Sequence, residues 1–357
     1  GFADHYQESL FRRYLPPGQV EALYAQIDRR LPLYREYLAW KRGGIEKRLA
    51  LGACEIWDEQ VPAGGAPSPR FTIAQASDVI RKGLGGLGPG YAGTLDQFLA
   101  PGNGRLDLVG GPGRTQGAFC EGYFGIFMQG FSGSLTDTST LAHEAGHAVY
   151  YRMLKERRGS LLFSDGPKFM SESYSMLNEW LLRDELRRTA GGPALRGLYE
   201  EEALDEAMAL FELARRARFE QVCYARVASG RISDGRGFEE ACLDTGKPCD
   251  PFFEKYPEMR FHWIRKHHYW TVPTYYLNYV VAHVLAMKYH ELYLKDPAGF
   301  SAKYVDMMSG GFDRPASERL RAFLGIDLGD TALLDGVVAL LEQQLAEARG
   351  TAAGDPA

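Results

Sequence analysis

Residues 143–147 read His-Glu-Ala-Gly-His, two imidazoles four positions apart with a carboxylate beside the first. On a helix, positions i and i+4 lie one above the other, so His143 and His147 can reach a single ion. Two imidazoles suit zinc, which needs a third protein ligand and an open position for water when it does chemistry. Glu144 projects beside the pair, where a carboxylate can take a proton from such a water. The bland alternative is a helix whose two histidines make ordinary hydrogen bonds.

The third ligand separates these readings. A histidine six residues after His147 is excluded, because position 153 is Met. Gly166 and Pro167 stand nineteen and twenty residues after His147, where a common helical zinc pattern places its glutamate. Asp165 is close but sits in Ser-Asp-Gly-Pro, a turn sequence. The next acid on a helical stretch is Glu172, twenty-five residues after His147. Glu179 follows two turns later on the same face, fit to orient a ligand histidine. Phe169, Met170, Tyr174 and Leu177 flank Glu172 and point to an interior position.

A second concentration of chemistry lies downstream. Five of the eight histidines fall in residues 262–290, where His267, His268, Tyr275, Tyr276 and Tyr279 precede or enter a helix that Pro273 would open. Tyr275 and Tyr279 are one turn apart and share a face. Tyr hydroxyls and a histidine N–H can hold a developing oxyanion without competing for a metal. A Tyr-rich helix is ordinarily buried core, and it is the His-Glu-Ala-Gly-His pattern elsewhere that tips the reading towards chemistry.

The elements that must position these groups read mostly as helices. Apolar residues recur at three- and four-residue spacings over 19–42, with a break expected at Pro32. Residues 58–70 form a Pro/Gly-rich loop, followed by a short helix near 72–82. Gly83 to Gly88 formally satisfy GxGxxG, but no strand precedes them, so they predict a turn and no nucleotide site. Residues 106–134 alternate short apolar runs with glycines and predict two or three short strands. Helices are expected over 137–158, with Asp137 as N-cap, and over 168–189, 198–229, 274–295 and about 331–348. The charges Glu200 to Glu202, Arg215, Arg216 and Arg218 predict a solvated helix face, and residues 349–357 a disordered tail. The fold class is therefore mainly α, with a small β-sheet beside the site and residues 1–348 as one catalytic domain.

Composition narrows the partners. The chain has 357 residues, 45% of them hydrophobic, and a formal charge of −5, which makes no electrostatic case for nucleic acid. Neither a membrane span nor a signal peptide is visible, and the expected location is cytoplasmic. Five scattered cysteines fit a reducing compartment, with Cys242 and Cys249 as ordinary thiols in preference to a bridge.

In four stretches taken together the sequence resembles the thimet oligopeptidase and oligoendopeptidase F family of zinc metallopeptidases. They are GPGRTQGAFC (111–120), FSGSLTDTSTLAHEAGHAVY (131–150), FMSESYSMLNEW (169–180) and HHYWTVPTYYLNY (267–279), in the family's order and spacing. The resemblance implies one zinc ion held by His143, His147 and Glu172, with Glu144 as general base and acid. It implies that a histidine of the second cluster and Tyr279 contact the oxyanion, with Tyr275 or Tyr276 assisting. His267 and His268 both fit that place, and the His-Tyr-Trp context favours His268. It further implies a helical fold that admits short unfolded peptides, with cleavage at internal bonds. The family's usual N-terminal helical lobe is not seen in this sequence, which suggests that the chain is a fragment or that a partner chain supplies the lobe. Residues 229–251 fit the family pattern poorly. A metallocarboxypeptidase, using Arg260 or Arg265 to grip a terminal carboxylate, is the rival enzyme. A non-catalytic zinc or peptide-binding module is the rival of another class.

Overall fold

The computed structural model describes residues 1–61, 67–114, 117–122, 124–164 and 166–353. Asp165 and residues 354–357 of the expected tail lie outside the described residues, and residues 349–353 of that tail are helical where the sequence predicts disorder. In chain order the helices begin with α1 (His5–Arg12), α2 (Pro17–Asp28), α3 (Leu31–Leu49), α4 (Ile73–Leu84) and α5 (Pro89–Leu99). The strands β1 (Leu106–Asp107), β2 (Ala118–Glu121) and β3 (Gly125–Met128) follow. Next come α6 (Leu135–Arg158), α7 (Lys168–Thr189), α8 (Pro193–Ala228), α9 (Gly235–Gly246), α10 (Phe252–Lys255) and α11 (His268–Thr271). The series ends with α12 (Tyr275–Lys295), α13 (Pro297–Ser309), α14 (Ala316–Leu324) and α15 (Asp335–Ala353). The fold is mainly α with one small sheet, as the sequence predicts. No described helix is long and apolar enough to cross a membrane.

The chain divides into two compact units. One comprises Gly1–Gly65, Leu204–Val281 and Leu328–Ala357, and the other Ala66–Ala203 and Ala282–Asp327. In the second unit β3 lies at the centre of the sheet, parallel to β1 and antiparallel to β2. Phe119 and Phe127 face each other across β2 and β3, with their rings stacked at 5.1 Å. Helix α6 starts at Ser134, whose hydroxyl accepts from the Asp137 N–H while Asp137 returns a bond to the Ser134 N–H. Asp137 is therefore the third residue of a capping box and not the N-cap, because serine three positions earlier completes the reciprocal pair.

Helices α6 and α7 pack closely, and Gly146 sets the separation. A Cβ there would come 2.7 Å from the Ser175 Cα, so any larger residue would drive the helices apart. Asn178 braces the contact by donating to the Ala142 carbonyl at 3.0 Å, and the Tyr91 hydroxyl of α5 donates to the Asn178 Oδ1 at 2.7 Å. Phe169, Met170, Tyr174 and Leu177 are all buried around Glu172, as their types predict.

Three sequence expectations need correction. Pro32 does not kink one long helix; it is the second residue of α3, the position where a missing N–H costs nothing, and α2 has already ended. Pro273 likewise does not open α12, which begins two residues later at Tyr275. The charged positions of α8 are not a solvated face: Glu201 and Arg215 are buried, and Arg215 donates twice to Glu212 at 2.6 Å. The GxGxxG stretch closes α4 and makes a single 3₁₀ turn, as predicted. All five cysteines are free thiols.

Candidate active site

The sequence-predicted ligands converge in the second unit. His143 and His147 sit one turn apart on α6, and Glu172 reaches them from the first turn of α7. The Glu172 Oε2 lies 3.4 Å from the His143 Nε2 and 3.7 Å from the His147 Nε2. Tetrahedral zinc with bonds of about 2.0–2.2 Å would hold its ligand atoms about 3.3–3.6 Å apart, close to the separation of the Glu172 oxygen from each histidine. One atom from each residue lies within 4.8 Å of the others.

The electrostatics also suit a cation. Burial alone would push His143 down, but hydrogen bonds with Glu172 and Glu179 outweigh it and hold its pKa well above the usual value. Burial and the repulsion of His143 push His147 down to about 4, against the pull of Glu172. Glu144 is 7% exposed, and burial pushes its carboxyl up to about 7, with Glu172 and Glu179 adding and His143 opposing. Among the protein atoms alone a proton on His143 balances these acids; a divalent cation would replace it.

Glu179 orients His143. Its Oε1 lies 2.7 Å from the His143 Nδ1, which leaves Nε2 facing Glu172. Ser139 donates to the Glu179 Oε2 at 2.9 Å, and Arg183 approaches it at 3.5 Å. Against burial, His143 and Arg183 hold the Glu179 carboxyl at about 2. Sequence reading reached Glu179 from helical spacing but missed Ser139 and Arg183, which lie four residues before His143 and four after Glu179 on the same faces. It also missed the backbone N–H of Cys120 on β2, which donates to the Glu144 carboxylate. No side-chain pattern signals a main-chain donor.

The second cluster gathers in the first unit. His268 stacks on Tyr275 at 5.5 Å and meets Tyr276 at 5.3 Å and Tyr279 at 5.6 Å. Tyr275 and Tyr279 are half-buried with their rings 5.1 Å apart, whereas Tyr276 is buried. His267 is exposed; its ring meets His268 edge-on and its Nδ1 lies 3.4 Å from the Thr271 hydroxyl.

The residue that starts this helix is strained. Thr274 has a φ of 62°, a region that β-branched residues avoid. Glu220 accepts the Thr274 N–H at 2.6 Å, Arg13 donates to the Thr274 carbonyl at 3.2 Å, and the Ser9 and Thr274 hydroxyls are 2.6 Å apart. Arg13 also donates to Asn278 at 2.9 Å, one turn along α12. Burial pushes Glu220 up to about 7, against that N–H bond and Arg13. A carboxyl raised on folding favours the folded state below its unfolded value and loses that contribution as pH rises through its folded value. Stability should therefore fall between about pH 4.5 and 7 on this account. Denaturant unfolding of Thr274→Gly is expected to show a gain of up to about 1 kcal/mol from relieved strain. Glu220→Gln should flatten the decline across that pH window, and an unchanged slope would assign it to other groups.

The helical fold brings two histidines and a glutamate together, and comparison with known proteins shows what such a chain is similar to. No family model matches the chain. The oligopeptidase PepF of Bacillus subtilis is 23% identical over 354 residues, covering 96% of this chain and 50% of that protein. An oligoendopeptidase F homolog of Lactococcus lactis is 22% identical, covering 96% and 56%. The oligoendopeptidase F structure from Enterococcus faecium superposes with a TM-score of 0.70 at 18% identity, covering 99% of this chain and 56% of that one. The chain is a homologue of the oligoendopeptidase F proteins and spans about half the length of the curated relatives it matches.

Proposed function

We propose that this chain carries the catalytic centre of a zinc-dependent endopeptidase acting on short oligopeptides. The observation that supports this best is the convergence of His143, His147 and Glu172 with Glu144 buried beside them. Zinc held by those three residues would supply a Lewis acid for the scissile carbonyl and make a water acidic near neutral pH. Glu144 takes the proton of the attacking water and returns it to the leaving amine. Glu179 keeps His143 in one orientation and one tautomer. His268 and Tyr279, with Tyr275 beside them, donate to the oxyanion of the tetrahedral adduct. Cys120, through its N–H, fixes one rotamer of Glu144.

Metal analysis and a quenched fluorescent peptide test this reading together. About one zinc per chain is expected, with cleavage at an internal bond that a chelator stops and added zinc restores. Cleavage that persists after the metal has been removed would overturn the proposal.

A further inference from the structure

A second recess lies within the first unit, with a cavity volume of about 890 Å³. Trp57, Tyr256 and Phe261 form an aromatic wall, with Trp57 64% exposed and 5.9 Å from Tyr256. The exposed indole offers apolar surface to a side chain that enters the recess.

The charges of the recess do not cancel evenly. Two wall acids, Glu59 and Asp250, share Arg42, which donates to both at 2.8–2.9 Å and offsets one of their two charges. Glu212 is shared by two guanidinium groups, Arg215 at 2.6 Å and Arg216 at 2.9 Å. Glu258, the remaining acid of the wall, is exposed on the rim. Arg265 lines the same recess and pairs with no carboxylate among the described residues, nor does Lys266 beside it. Arg260, by contrast, lies 3.4 Å from Glu239 and is already engaged.

Lys266 and His262 report the local field. Burial and the nearby Arg216 push Lys266 down to about 8, and burial and Arg215 push His262 down to about 4. Both bases are depressed chiefly by burial, with the neighbouring guanidinium groups adding and Glu212 opposing. This part of the recess adjoins the His268 group. The Arg216 guanidinium lies 5.4 Å over the Tyr276 ring, and Tyr276 packs against His268.

We propose that this recess is a substrate subsite in which Arg265 receives a peptide carboxylate while the Trp57–Tyr256–Phe261 wall covers a neighbouring side chain. The inference rests on the oligopeptide reading and adds a specificity to it. The carboxylate is either the peptide's C-terminus or an acidic side chain. Both present the same planar pair of oxygens to a guanidinium.

The test is binding to the Glu144→Gln protein, which separates recognition from turnover. Dissociation constants are measured for a peptide with free and amidated C-termini, and for a matched pair carrying Glu or Gln. At least one carboxylate-bearing member should bind about 10-fold tighter than its neutral partner, and Arg265→Gln should erase that difference. Loss in the amidated peptide identifies the terminus, and loss in the Gln peptide identifies the side chain. Equal binding across both pairs, no binding of any peptide, or a preference that survives Arg265→Gln would overturn the subsite. If the wild-type protein binds with this preference yet cleaves nothing, the peptidase reading fails and the subsite stands.

Discussion

Glu144→Gln should retain zinc and lose peptide cleavage by about 10²–10⁴-fold, the range a positioned general base contributes. The substitution is nearly isosteric, and the amide oxygen can still accept the Cys120 N–H that the carboxylate accepts now. It cannot take a proton from water. Burial pushes the Glu144 carboxyl up to about 7 in the metal-free chain, and a cation beside it would draw it back towards the carboxylate that accepts a proton. The three ligand atoms belong to other residues, so zinc content should match the parent protein. Calorimetric or fluorescence unfolding run beside the assay guards against a folding defect. A variant that cleaved at close to the parent rate would remove Glu144 from the chemistry, whatever its metal content.

The centre was readable from sequence because its parts obey helical periodicity. His143, Glu144 and His147 are spaced by the turn of α6, and Glu172 stands out as an acid among residues that bury. What the periodicity does not carry is how closely two helices approach. That depends on Gly146, whose missing side chain lets Ser175 and Asn178 come near enough for Glu172 to reach both histidines. A glycine inside a helix reads in sequence only as a weak helix former.

Other features depend on contacts distant in the chain, and pattern reading misses them for that reason. Helix α9 falls in residues 229–251, where charged residues hide a short buried face of Ala241 and Cys242. Arg215 looks like one of a run of surface charges, yet it is 4% exposed because Glu212 and His262 meet it there. The strain at Thr274 is invisible locally, since nothing in Val-Pro-Thr-Tyr demands a left-handed residue. It exists because Glu220, Arg13 and Ser9, from α8 and α1, hold both sides of that peptide.

Glu172→Ala should remove zinc almost completely on dialysis, whereas Glu179→Ala should weaken binding by about 10–100-fold and leave a measurable site. The two glutamates lie on one face of α7 and both contact His143, but they reach different nitrogens of its ring. Glu179 bonds the Nδ1 of His143, the ring nitrogen that faces away from His147's contact with Glu172. Glu172 alone presents one oxygen to the Nε2 atoms of both histidines. Removing it leaves two imidazoles, too few to hold zinc against water. Removing Glu179 leaves all three donors but frees the His143 ring to turn and lets Nδ1 compete as the ligand atom. Competition with a chromophoric chelator reads both effects on one scale. Retained zinc in Glu172→Ala with loss in Glu179→Ala would reverse their roles, and with them the orientation of His143.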